Sequence, residues 1–204
     1  MTVQLPGNYL DMRLAVLIYF IILSFHFNSV IGQNYPSGTF KYGKVNLLMD
    51  KSFISNQDWS EYIYYQKNKF STDTDHYVKS LPDTNIWKKE YINGKIPSIP
   101  GVDVKYEADP IIGLSFYQIN DYCEWRKNRL IERYKTDYVC RLPNLDEFKL
   151  FIERQKRAYP YNVLVLIENE PKIVNYNPST KSMNISNYRD NIKFFFFCVM
   201  EVKK

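Results

Sequence analysis

The sequence predicts an α+β domain with much irregular chain, and three observations lead there. Two capping-box segments, Ser115–Gln118 and Asn144–Glu147, each head a stripe of apolar residues at helical spacing. Short apolar runs at 163–167, 172–176 and 192–202 fit strands in length and composition. Before them the stretch 71–109 is broken by Pro82, Gly94, Pro97, Pro100 and Gly101 and carries little periodicity.

The chain begins with a leader. Met12 and Arg13 precede an apolar run from Leu14 to about Phe27, and Val30 and Gly32 sit at the −3 and −1 positions of a cleavage before Gln33. A bilayer span needs about 20 apolar residues. This run is shorter and is interrupted by Ser24, His26 and Asn28, so a cleaved secretory signal over residues 1–32 is expected, with Met12 as an alternative start. A retained anchor is the rival reading. Residues 33–204 then form a single domain, long enough to bury a real core.

Residues 33–43 read as an extended approach punctuated by Pro36, Ser37 and Gly38, and 45–50 as a short strand. Ser55 or Asn56 caps a helix whose first turn holds Asp58 and which runs to about Phe70 through Trp59, Tyr62, Ile63 and Gln66. Trp87, Tyr91 and Tyr106 anchor the irregular 71–109 stretch on a core. Ser115 opens the next helix, which ends near Tyr134. Phe116, Ile119, Cys123 and Leu130 share one face, with Glu124, Arg126, Lys127 and Arg129 mostly turned away. Residues 140–144 are a connector, and the helix after Asn144 closes at Pro160. Two strands pair about a Glu-Pro turn, 178–187 is polar loop, and 192–202 is a final strand.

Composition limits the function classes. The net charge of +5 comes from interspersed acids and bases, which suits solubility and gives no nucleic-acid footprint. The 18 Tyr, 13 Phe and 3 Trp supply a core of large residues or a Tyr-rich docking surface for protein or glycan. The cysteines are Cys123, Cys140 and Cys198. Export would place them where disulfides persist, and three allow one internal bond with one thiol left over.

The segment PIIGLSFYQINDYCEWR (110–126) followed by CRLPNLDEF (140–148) resembles the formylglycine-generating enzyme, or sulfatase-modifying factor, family. The resemblance rests on Gly113, Ser115, Tyr122, Cys123, Trp125, Arg141, Leu142, Pro143, Glu147 and Phe148. The closing FFFFCVMEV resembles that family's last strand, with Cys198 at its cysteine, and LMDKSFISNQDWSEYIYY resembles its early segment. It covers residues 36–150 and 192–202. The stretch SLPDTNIW (80–87) resembles the Bacteroidetes members, lipoproteins of gliding motility and type IX secretion. The resemblance implies an irregular α+β fold related to C-type lectin-like domains. It also implies a disulfide between Cys123 and Cys198, worth about 4 kcal/mol in the chain-entropy model for a loop of about 75 residues. Cys140 would remain a thiol.

The departures bear on chemistry. Catalytic members of that family bind copper through a cysteine pair between the Arg-Leu-Pro block and the closing strand, and here 149–193 contains no cysteine. The family's calcium-binding and active-site loops are also missing or replaced. Outside the leader only His76 remains, beside Asp73 and Asp75 in a segment read as exposed loop, too little for a His-rich iron site or a catalytic triad. Glu124, Asp146 and Glu147 are available as glycosidase-type carboxylates, but capping explains the last two. No phosphate-binding glycine loop occurs. The expectation is an exported, non-catalytic component of the cell envelope of a Gram-negative bacterium. It would hold no cofactor or metal and would bind an envelope protein, or a glycan. It would not bind nucleic acid, and would meet the membrane only through a partner or an uncleaved leader. The alternatives are a metal-dependent oxidoreductase with a divergent site and a glycan-binding module.

Overall fold

A computed structural model of the chain describes residues 36–42, 47–71, 75–86, 106–155, 160–189 and 192–203. The leader and residues 87–105, including Trp87, Tyr91 and most of the Pro/Gly breaks, lie outside them. Gly38–Lys204 form one unit by themselves. The class is α+β, as the sequence pattern predicts.

The first sheet is antiparallel, with strand order β1-β2-β7-β3. Its strands are β1 (Thr39–Tyr42), β2 (Leu47–Asp50), β3 (Tyr138–Arg141) and β7 (Val199–Val202). β1 lies in what reads from sequence as an extended approach, and β3 takes up the start of the expected connector. Each is a strand through its partner: β1 pairs with the following β2, while β3 finds β7 far along the chain. β3 pairs with β7 through Cys140↔Met200, and its alternation buries Tyr138 and Cys140 on one face.

Helix α1 (Asn56–Phe70) starts where the sequence places it. The Ser55 hydroxyl accepts from the Asp58 N–H at 3.1 Å, and Asp58 accepts from the Ser55 N–H at 2.8 Å. The short α2 (Asp75–Ser80) lies in the segment read as loop. It packs on α1, with the His76 ring stacked on Phe70 at 4.3 Å. Helix α3 (Phe116–Tyr134) begins just after Gly113, whose φ of 78° lets the chain turn into the Ser115 cap. Ser115 and Gln118 form the expected box. The Gln118 amide also donates to the carbonyls of Lys79 and Leu81, tying the start of α3 to the end of α2. Lys135 (φ 54°) ends α3 in the left-handed region. α4 (Leu145–Ile152) begins at Asn144 as expected but stops well short of Pro160. Its end tightens, the Arg154 N–H donating to Phe151 O.

The second sheet, β4-β5-β6, is a meander of β4 (Tyr161–Ile167), β5 (Glu170–Asn177) and β6 (Ser182–Asn187). The hairpin turn falls at Glu168–Asn169, both at positive φ, and not at Glu170-Pro171. Positive φ at both central positions gives the twist that antiparallel strands need. β6 replaces the expected polar loop. It is an edge strand with most side chains in solvent, so its polar sequence costs nothing there, and β5 supplies its backbone partners.

The segment 192–198, expected as part of the final strand, is not strand, which begins only at Val199. Its backbone bonds divide between two neighbours. Phe195 bonds β4 through Asn162 O and the Leu164 N–H, while Phe196 O accepts from Ile54. Phe194, Phe196, Phe197 and Cys198 are buried because this segment threads between the sheets. Met49, Val199, Phe148, Phe151, Val163, Val165, Val174 and Phe197 form the core there, with Phe151 and Phe197 stacked at 3.9 Å. A second aromatic cluster joins α1 to α3. Trp59 stacks on Tyr122 at 5.2 Å, beside Tyr62 and Phe196, and its indole N–H donates to Ser80 O at 3.0 Å.

Candidate functional site

All three cysteines meet at one place. Cys123 projects from α3 and Cys140 from β3. Cys198, just before β7, lies two residues from the strand partner of Cys140. The three sulfurs all lie within 4.8 Å of one another. They are sealed from solvent, at 4%, 9% and 0% exposure respectively. Cys123 and Cys198, the pair for which the resemblance implies a disulfide, have their sulfurs 3.7 Å apart. Cys140, left over in the sequence reading, is the third member of the group.

Beside the thiols lies a buried ion pair that the sequence reading missed. Arg126 donates to both carboxylate oxygens of Asp50, at 2.8 and 2.5 Å. The Cys198 N–H donates to the same carboxylate at 2.7 Å. Arg126 reads as one of the outward charges of α3, yet its side chain is only 17% exposed. Its partner is 76 residues away, so no local pattern reveals the pair.

The electrostatics follow from burial and mutual hydrogen bonding. Burial pushes the Asp50 carboxyl up to about 6, against the pull of Arg126. For Arg126 burial alone would favour the neutral form, but Asp50 overrides it and holds the guanidinium charged. The Cys140 thiol is held well below its ordinary range by hydrogen bonds from Cys123 and then Cys198. Cys123 is pushed well up by bonding to Cys140 and Cys198 together with burial, and Cys198 is pushed up chiefly by burial.

Other predicted residues are held apart from this group. Arg141 donates to both oxygens of Glu147, at 2.7 and 2.8 Å, and pairs with Glu201. Glu147 also accepts the Asn144 N–H, so it caps α4. Asp146 pairs with Lys149, and Glu124 with Lys127. Asp73 lies outside the described residues. Among the described residues, no helix is long and apolar enough to cross a membrane.

No protein-family model, curated protein or solved structure matches this chain. The site is therefore read from its own chemistry. Three soft sulfurs, a carboxylate and a guanidinium sit in a closed interior. Such a group can cross-link the fold or hold a soft ion, but among the described residues nothing opens it to a substrate.

Proposed function

We propose that residues 33–204 form an exported, non-catalytic domain of sulfatase-modifying-factor type, with an irregular fold related to C-type lectin-like domains. It acts as a structural or protein-binding component of a Gram-negative cell envelope, in gliding motility or type IX secretion. One observation carries the non-catalytic part. The polar groups of the segments bearing the resemblance are engaged within the scaffold: Ser115 and Gln118 cap α3, while Arg141 and Glu147 clamp β3 to α4. The thiols of those segments are sealed. Support for docking comes from Tyr117, Tyr64 and Val78, which are at least half exposed. The link to motility and secretion rests on the sequence resemblance.

The test is twofold. Purified chain, supplied with copper, oxygen and a cysteine peptide, should leave the peptide mass unchanged, and peptide oxidation would overturn the reading. In envelope fractions the tagged chain should start at Gln33 and run in a defined complex above its own mass. A free cytoplasmic monomer would overturn it.

A groove favours a second reading as a glycan-binding module. It has a volume of about 680 Å³, and Tyr161 and Tyr176 line it beside Lys149, Glu153, Gln155 and Lys181. Aromatic faces edged by polar groups suit sugar rings. Glycan-array signal abolished by Tyr176→Ala would favour this reading, and signal at background would end it.

A further inference from the structure

We propose that Cys123, Cys140 and Cys198 form a closed three-sulfur site for a soft, monovalent d10 metal ion, for which Cu(I) is the probe. The inference stands on the geometry of the cluster and does not rest on the proposed function.

Spacing is the first support. A metal with sulfur ligands at about 2.3 Å holds three of them about 4 Å apart in a trigonal plane. The sulfurs lie within 4.8 Å of one another, with Cys123 and Cys198 at 3.7 Å. Small side-chain movements therefore complete the site without moving backbone.

The disposition of Cys140 is the second support. It faces Met200 across the β3–β7 pair, and Cys198 is two residues before Met200. Cys140 and Cys198 are thus diagonal neighbours, and diagonal positions on paired strands are about 7–8 Å apart. That exceeds the usual Cα separation for a disulfide, whereas an ion between the sulfurs can accept both. A disulfide would use Cys123 and Cys198 alone and leave Cys140 without a role, while the ion uses all three.

Ligand number and type select the ion. Thiolate ligands favour Cu(I) and zinc. Structural zinc takes four ligands. Among the described residues no fourth His, Cys, Asp or Glu joins the group, and Asp50 is already engaged by Arg126 and the Cys198 N–H. A three-coordinate ion fits what is present. Binding exchanges three S–H protons for one cation, with no change of oxidation state. The group then carries two net negative charges, and the retained charge of Arg126 acts on Cys140 and Cys198. With three sulfurs and no open position, the ion is held without turnover.

The experiment uses full-length reduced protein, kept anaerobic and titrated with Cu(I) against a chromophoric Cu(I) chelator. X-ray absorption then counts the sulfurs on the ion, and the zinc ion is titrated in parallel. The expected result is one Cu(I) per chain bound by three sulfurs, with weaker zinc uptake. Cys140→Ser should lower Cu(I) affinity by at least about 100-fold, since even an outer-shell partner accounts for 10–100-fold. Near-ultraviolet circular dichroism checks that this variant folds. If it does not, the sulfur count on the native chain decides the matter. No uptake against the chelator would overturn the proposal. So would two sulfurs on the ion or unchanged affinity in Cys140→Ser.

Discussion

Removing the Asp50 carboxylate should strip the interior of its best-bonded charge. Asp50 is 4% exposed and accepts from both Arg126 nitrogens and from the Cys198 N–H. In Asp50→Ala the Cys198 N–H loses its acceptor, which for a buried donor costs about 1–3 kcal/mol. The guanidinium loses its partner as well, and breaking a buried pair costs about 3–5 kcal/mol in all. Arg126 is slightly exposed and can turn toward water, so the lower part of that range applies. At about 2–4 °C per kcal/mol for a chain of this size, Tm should fall by roughly 10 °C. Urea unfolding followed by tryptophan fluorescence provides the free energy, since Trp59 and Trp125 report on the adjoining aromatic cluster. A cost below about 1 kcal/mol would refute the assignment of a working buried pair. Replacing both partners by apolar residues, Asp50→Leu with Arg126→Met, should recover most of the loss. The pH dependence has a definite sign. The folded carboxyl titrates near 6 and an unfolded one near 4, so the folded state holds the extra proton between those values. The proton-linked part of its contribution is full below pH 4 and lost as pH rises through 6, leaving above that the contribution of the bonds to Arg126 and Cys198. The advantage of the native chain over Asp50→Ala should therefore narrow from pH 4 to pH 7.

Three further outcomes are expected. Ser115→Ala should cost about 1 kcal/mol in urea unfolding by opening the α3 cap, while Tyr117→Ser, exposed one turn position away, should stay within about 0.5 kcal/mol. Phe197→Ala should cost about 3–5 kcal/mol, because it removes a fully buried ring stacked on Phe151, and a thermal melt lowered by only a degree or two would contradict that packing. Glu168→Asn with Asn169→Gly should raise stability by up to about 1 kcal/mol, since both positions have positive φ in the hairpin turn, and a lowered Tm would count against that turn geometry.

What the sequence determined by itself was local. The capping boxes at Ser115 and Asn144 are bonds between residues three apart, so helix starts are legible wherever such spacing occurs. The β4–β5 hairpin was legible for a similar reason, apart from its turn. Strands β1, β3 and β6 were not, because a short or polar strand exists only through the partner that accepts its backbone bonds. Phe194–Phe197 showed burial but not its form, since the backbone there divides its bonds between elements distant in sequence. The candidate site belongs wholly to tertiary structure. Cys123 and Cys198 come together across 75 residues, Asp50 and Arg126 across 76, and Cys140 joins through strand register. The sequence could count three thiols and leave one over. Only packing α3 on the β7–β3 pair decides that all three sulfurs share one interior.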